Sequence, residues 1–305
     1  MGSELHSMAK VINDYHIHTV YSDGMYEPEQ LFKKAQELKL AEISITDHNK
    51  YGGVLEAIKG DYAQKYGVGF VNGCEFYAWH KNYFFDVLCY GFDAEKIQKE
   101  PRLTLERQNE TNFAILRDLA QKAKELKLTL DEEVLYSTHI RSAYYQFYKE
   151  ISRYPENAEF IQKWPMGEAF RHTFPENPMV INFKKYYADI FEIREIVDRI
   201  GGVLVFAHPY NKYPASYGQQ FVDDCLATGC FDGIECFHYA FGKDKSDYLL
   251  NVAKRNKMII TGGSDNHNTK YDLGKWCRGQ EAIIPNLKLS EQIKAFKTKP
   301  PCKNF

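Results

Sequence analysis

The 305-residue chain has no long hydrophobic run. Its longest aliphatic stretch, Val203–Ala207, is far short of the ~20 residues a membrane-spanning helix needs. The first ten residues have no apolar core, so no secretory signal is read there. Residues 1–8 (MGSELHSM) read as a vector-derived leader ahead of a native start at Met8, and His6 is set aside with them. Cysteine is scattered: seven residues, at 74, 89, 225, 230, 236, 277 and 302, contain no C-x-x-C pair. Without a secretion signal, that usage points to free thiols in a reducing cytoplasm. Cys89 and Cys236 lie in apolar strands and read as core thiols. Charge of one sign is missing too. Lys+Arg 39 against Asp+Glu 41 leaves −2, which excludes a broadly basic, extended nucleic-acid surface and leaves room for a local pocket. Neither repeats nor low-complexity tracts occur. With 44% hydrophobic and 26% charged residues, the chain is not disordered.

What is present is an alternation. Val11–His18 reads as a strand, and Glu27-Pro28 opens a helix with an apolar stripe of Leu31, Phe32, Ala35 and Leu38. A strand at Ala41–Thr46, a helix at Val54–Tyr66, and strands at Val68–Tyr77 and Tyr83–Phe92 follow. Residues 101–200 are charged and helical, with Leu105–Leu128 the longest periodic stretch, and Pro155, Pro165, Pro175 and Pro178 break up the second half. The strand rhythm then returns at Gly202–Ala207, Asp232–Phe237 and Met258–Gly262, with helices near Tyr217–Ala227 and Lys243–Asn256. Such alternation implies a largely parallel sheet. Seven strands with intervening helices fit an α/β barrel, one domain over residues 11–300 with a helical insertion at 101–200.

Histidine and carboxylate concentrate at the strand ends. His16 and His18 are two apart at the end of the first strand, so both imidazoles face one way, and Asp23 follows in the next loop. Asp47 and His48 end the second strand, Glu75 lies in the third, His208 ends a late strand, and Asp265 and His267 end the last. In a parallel barrel the strand C-termini share one face, where catalytic groups gather. So many imidazoles and carboxylates crowded together call for cations, and mixed N/O donors suit Zn, Mn or Fe(II) rather than Ca or Mg.

These residues carry a family resemblance. D-Y-H-I-H-T-V-Y-S-D-G (14–24), I-S-I-T-D-H-N (43–49), N-G-C-E (72–75), F-A-H-P (206–209) and G-S-D-N-H (263–267) resemble the polymerase and histidinol phosphatase (PHP) family. T-H-I-R-S-A (138–143) and G-E-A-F (167–170) look like the helical insert of its small stand-alone phosphoesterases. The resemblance implies a distorted (β/α)7 TIM-like barrel holding two to three divalent ions. It implies a first ion on His16, His18, Glu75 and Asp265, a second on Glu75 and His208, and a third on Asp23, His48 and His267. Family members usually offer a His from the fourth strand. Here F-F-D-V-L-C-Y-G-F-D (84–93) places Asp86 there, which is kept as a ligand of the second ion, with His80 a surface alternative. Asp47 is expected to orient a neighbour.

The resemblance implies hydrolysis of a phosphomonoester by a metal-activated hydroxide attacking in line. Asp265 is the proton acceptor, His238 a substrate contact or leaving-group acid, and Arg141 the phosphate-binding cation, ahead of Arg171 and Lys212. The insertion is expected to cap the barrel mouth. Its Tyr136, Tyr144, Tyr145, Phe147 and Tyr148 are either core residues or a surface for stacking a nucleobase. The expected partner is a small phosphorylated molecule, a nucleotide or short oligonucleotide. Three other readings stay open: a histidinol-phosphate-type phosphatase, which usually carries His where this chain has Asp23, a non-catalytic metal-binding module, and an amidohydrolase, for which no strand-end lysine is visible. Oligomeric state is not legible.

Overall fold

The alternation of the first ninety residues builds one side of a seven-stranded sheet whose strands neighbour one another in chain order. The computed structural model describes residues 13–136, 142–164, 178–267, 273–274 and 288–298. Strand β1 (Asn13–Asp14) leads to helix α1 (Pro28–Glu37), β2 (Glu42–Ile45), α2 (Gly52–Lys59), α3 (Tyr62–Tyr66), β3 (Gly69–His80) and β4 (Tyr83–Tyr90). The expected single helix over 54–66 is two, because the chain turns at Gly60 and at Asp61, whose φ is +48°. In α1, Pro28 occupies the first turn, Glu27 N–H donates to Gln30 Oε1, and Leu31, Phe32 and Ala35 are buried against the sheet while Leu38 is partly covered.

Helix α4 (Ala94–Lys99) follows, its Ile97 buried with the barrel residues, and then the helices of the insertion, α5 (Leu105–Glu125), α6 (Glu132–Tyr136), α7 (Ala143–Ile151) and α8 (Ala158–Lys163). The rhythm resumes with α9 (Ile190–Ile200), β5 (Val203–Phe206), α10 (Lys212–Leu226, broken at Gly218), β6 (Gly233–His238), α11 (Lys243–Arg255), β7 (Ile259–Gly263) and α12 (Leu289–Lys297).

The sheet is not uniformly parallel. β4 runs antiparallel to both β3 and β5, while the other pairs are parallel. Only Lys81 and Asn82 separate β3 from β4, and a two-residue link permits a hairpin and no crossover. Closure comes from β7 returning to the first strand: Tyr15 N–H donates to Gly262 O (3.2 Å) and His18 N–H to Asn266 O (3.0 Å). The expected strand over 11–18 is interrupted within its described part. The His16 N–H donates to the Asp14 side chain and the Ile17 N–H to Thr46 Oγ1, which takes both out of the ladder.

Two cores result. The barrel core includes Ile43, Ile45, Phe76, Phe206 and Ile234, together with Ile193, Ile196, Val197 and Ile200 of α9, which packs with the barrel although it lies inside the expected 101–200 insertion. The insertion has its own buried cluster, including Ile115, Leu119, Leu135, Phe147 and Ile151. A third cluster, with Tyr15, Val71, Val203, Ile259 and Leu289, lies toward the strand N-termini, where Ser290 of α12 donates to Glu42. The expected thiols Cys89 and Cys236 are free and buried, as are Cys74, Cys225 and Cys230, while Cys277 and Cys302 lie outside the described residues. Among the described residues no helix is long and apolar enough to cross a membrane.

Candidate metal centre

The strand ends opposite α12 converge on one carboxylate. Glu75 of β3 is fully buried, and its Oε1 lies 3.2 Å from His16 Nε2 and 3.0 Å from His208 Nε2. Its Oε2 lies 3.3 Å from His18 Nε2 and 3.1 Å from His48 Nδ1. Asp265 is the second hub. Its Oδ1 is 3.6 Å from His16 Nε2, 3.3 Å from His18 Nε2 and 3.4 Å from His267 Nδ1. Asp23, partly exposed at the rim, lies 3.5 Å from His18, 3.7 Å from His48 and 3.4 Å from His267. Asp86 of β4 reaches within 3.7 Å of His208 Nε2. All nine residues expected at the site therefore meet.

Local backbone makes this approach feasible. A Cβ on Gly263 would stand 2.2 Å from the His16 Cβ, so only glycine lets β7 come this close to the first strand. Asp265 (φ +49°) and His208 (φ +20°) adopt left-handed backbone conformations uncommon for residues with a Cβ. Conformations of that kind persist where the surroundings over-determine them, often at functional sites.

Donor atoms fall into four overlapping groups: His18, Asp23, His48 and His267; His16, His18 and Asp265; His16, Glu75 and His208; and His48, Glu75 and Asp86. Several of these atoms are buried without a hydrogen-bond partner of good geometry, namely His16 Nε2, His18 Nε2, His48 Nδ1, Glu75 Oε2, Asp86 Oδ1 and His208 Nδ1. Orphaned buried donors and acceptors are costly, and cations at these positions would satisfy most of them at once. The residues fit divalent ions.

Protonation in the metal-free cluster reflects the same crowding. Burial alone would lower His16 and His208, but the surrounding carboxylates outweigh it. They hold His16 well above 6.5 and His208 at about 9. Burial likewise opposes His267, yet Asp23 and Asp265 lift it to about 10. Burial pushes His48 down to about 4. It pushes Asp86 up to about 7, with the Glu75 charge adding to the effect. Glu75 and Asp265 are held well below the carboxylate range because neighbouring imidazoles overcome their burial.

A layer behind the donors holds them. Asp47, expected to orient a neighbour, accepts from Thr19 N (2.7 Å), Thr19 Oγ1 (2.6 Å) and Ser22 Oγ (2.6 Å). It fixes the loop that carries Asp23. His238 accepts from Ala240 N–H at Nδ1 (3.2 Å), so its neutral ring carries the proton on Nε2, 3.3 Å from Asp265 Oδ2. Glu235, which the sequence reading does not assign, contacts His16 Nδ1 (3.1 Å) and accepts from His208 N–H (2.8 Å). His80 stands apart from the cluster, edge-on to Phe191. Arg141, Arg171 and the Lys212 side chain lie outside the described residues, as do 138–141 and 167–170 of the insert motifs.

A cavity opens beside His48, walled by Tyr77 of the barrel and by Gln108, Tyr144 and Tyr187 beyond it. Tyr77 stacks on His48 (ring centroids 4.8 Å) and meets Tyr187 edge-on (5.0 Å). Tyr77 follows Glu75 by two, a spacing that places both on one face. Of the five insertion aromatics, Phe147 is core, Tyr136 and Tyr148 pack on it, Tyr145 is exposed and Tyr144 also lines the cavity.

Comparison with known proteins follows the same outline. A family model described as "PHP domain" matches residues 14–199. The chain is 26% identical over 269 residues (84% of this chain, 94% of the relative) to phosphoribosyl 1,2-cyclic phosphate 1,2-diphosphodiesterase of Eggerthella lenta. It is 24% identical over 287 residues (89% and 96%) to a 5'-3' exoribonuclease of Haemophilus influenzae. Among solved structures, an amidohydrolase from Chromobacterium violaceum with bound sulfate and no metal superposes with TM-score 0.69 at 20% identity (94% and 97% covered). A protein from Bifidobacterium adolescentis described as a metal-dependent phosphoesterase gives 0.63 at 21% (93% and 94%). At these identities the structures support the fold.

Proposed function

Because the chain belongs to the PHP-domain family and is a metal-dependent phosphoesterase of that type, we propose that it hydrolyses a phosphomonoester of a nucleotide or short oligonucleotide. The observation that carries this reading is the set of four overlapping donor groups, two of them sharing Glu75, beside an aromatic-walled cavity. His16, His18, Glu75 and Asp265 would hold one ion, Glu75, Asp86 and His208 a second, and Asp23, His48 and His267 a third. Zn, Mn and Fe suit these donors. When bound, the ions supply a water of lowered pKa and a clamp on the phosphoryl oxygens.

The protein's own groups do the rest. Asp265 accepts the proton of the attacking water. His238, its Nε2 proton against Asp265, is the substrate contact and holds Asp265 in place to receive that proton. Arg141 is the cation that neutralises phosphate charge. The insertion caps the mouth, and the Tyr77–Tyr187 corner receives the organic part of the ester.

A second reading is favoured by the relatives, whose names describe phosphodiester chemistry on a cyclic phosphate and on RNA. The substrate here would then be a phosphodiester. One panel separates the two: p-nitrophenyl phosphate, bis-p-nitrophenyl phosphate, nucleoside monophosphates and bisphosphates, and cyclic phosphates, each with the reconstituted protein. Preference for monoesters is expected. Turnover confined to diesters selects the second reading, and metal-independent turnover contradicts both.

A further inference from the structure

Strand β6 delivers two polar residues into the barrel at a spacing of three, which a regular strand cannot do because side chains alternate faces. The pairing with β7 shows how. Glu235 pairs with Thr261, yet Phe237 pairs with Gly262 and His238 with Gly263, so Cys236 is an extra residue and the register slips. Such a bulge re-aims the strand. Glu235 and His238 both turn inward, His238 to Asp265 and Glu235 to the opposite flank of the cluster.

Glu235 is fully buried, and both its oxygens are engaged. Oε1 is 3.1 Å from His16 Nδ1, and Oε2 accepts from the His208 N–H at 2.8 Å. A carboxylate only accepts hydrogen bonds, so the His16 proton sits on Nδ1. Nε2, turned to Glu75 and Asp265, carries a second proton in the metal-free cluster, and an ion would take that proton's place. The other contact pins the backbone of His208 at its left-handed φ of +20°. One side chain thus fixes the ring of one donor and the main chain of another.

We infer that Glu235 is the positioning residue of this centre, holding His16 with Nδ1 protonated and Nε2 turned to the ion while bracing the backbone that presents His208. The inference rests on the metal-site reading above. It makes a specific claim about an isosteric change. In Glu235→Gln the side-chain volume is kept, but the amide has one accepting oxygen and one donating nitrogen. Either His16 Nδ1 meets a donor and its proton moves to Nε2, or the His208 N–H faces one and loses its acceptor.

The test is metal affinity of the purified full-length chain, measured with Zn²⁺ and Mn²⁺ against a competing chelator, with thermal melts of the metal-free proteins alongside. Expected for Glu235→Gln is a melt within a few degrees of the parent and an affinity lower by about 10–100-fold. Equal affinity in parent and variant overturns the inference while sparing the metal-site reading. A parent that binds no ion overturns the reading beneath it as well. The ¹⁵N signals of His16 in the zinc-loaded parent give a check free of any variant. Protonated Nδ1 with metal-bound Nε2 is expected, and the reverse contradicts the assignment.

Discussion

The barrel mouth and the helical insertion solve different problems. At the mouth, imidazoles and carboxylates are delivered by strand ends locked in one hydrogen-bonded sheet, and a buried layer (Asp47, Glu235, His238) holds them from behind. The insertion is a set of helices around a separate apolar cluster, and what it presents to the cavity is a wall including Gln108 and Tyr144. Under the proposed function, rigid placement belongs to the part that handles charge, and exchangeable surface to the part that would meet the rest of the substrate. Sites built on scaffold elements are geometrically tighter than sites on loops. The comparison therefore predicts that changes at the mouth abolish chemistry, while changes in the insertion alter selectivity or stability.

The largest effect is expected at Asp265. Asp265→Asn should lower turnover by roughly 10²–10⁴-fold and reduce the metal content found by elemental analysis. Turnover within a few-fold of the parent would remove Asp265 from the mechanism. Arg141→Ala sharpens the distinction, since it should raise KM or lower kcat with metal content unchanged. A loss of metal would move that residue from substrate to site. Next comes Tyr187→Ala at the cavity wall. A stacked base is worth ~1–3 kcal/mol, so KM for a nucleotide should rise about tenfold while KM for p-nitrophenyl phosphate shifts less. An equal change for both would mean that the wall does not read the organic part. Leu119→Ala tests the independence of the two cores. It should cost about 2–5 kcal/mol in denaturant unfolding and leave metal stoichiometry at the parent value.

A pH series separates the regions by another route. His208 at about 9 and His267 at about 10 are raised above 6.5. The stability they contribute is complete below pH 6.5 and is lost as pH rises through their folded values. The chelated protein should melt progressively earlier between pH 6.5 and 10. Metal loading should oppose that decline, because ions bind deprotonated donors. A flat or rising melting profile without metal would show that these imidazoles are not held by Asp23, Glu75 and Asp265.

Legibility in the sequence follows the same division. His16 and His18 were readable because a spacing of two in a strand fixes a common face, and five motifs at strand ends imply a shared mouth only if the sheet closes. Asp86 follows from the family resemblance, which expects a ligand from the fourth strand, and its carboxylate lies 3.7 Å from His208 Nε2. Glu235 was not readable. Its spacing of three from His238 implies opposite faces until the bulge at Cys236 is seen. The antiparallel course of β4 is not legible with the third strand ending at Tyr77. The two-residue link at Lys81–Asn82, which forces a hairpin, appears only because β3 runs on to His80. In the insertion, helical spacing cannot distinguish Phe147, which is core, from Tyr144, which also borders the cavity, because which face a helix turns to a distant barrel is decided by tertiary packing.

The central claim is that Glu75 and its neighbours form a working multi-metal phosphoesterase centre. It is tested most directly by elemental analysis of the protein paired with p-nitrophenyl phosphate turnover before chelation, after it, and after re-addition of Zn²⁺ or Mn²⁺. The account predicts two to three ions per chain, with activity lost on chelation and restored on reloading. A reconstituted protein that holds no ion would contradict it.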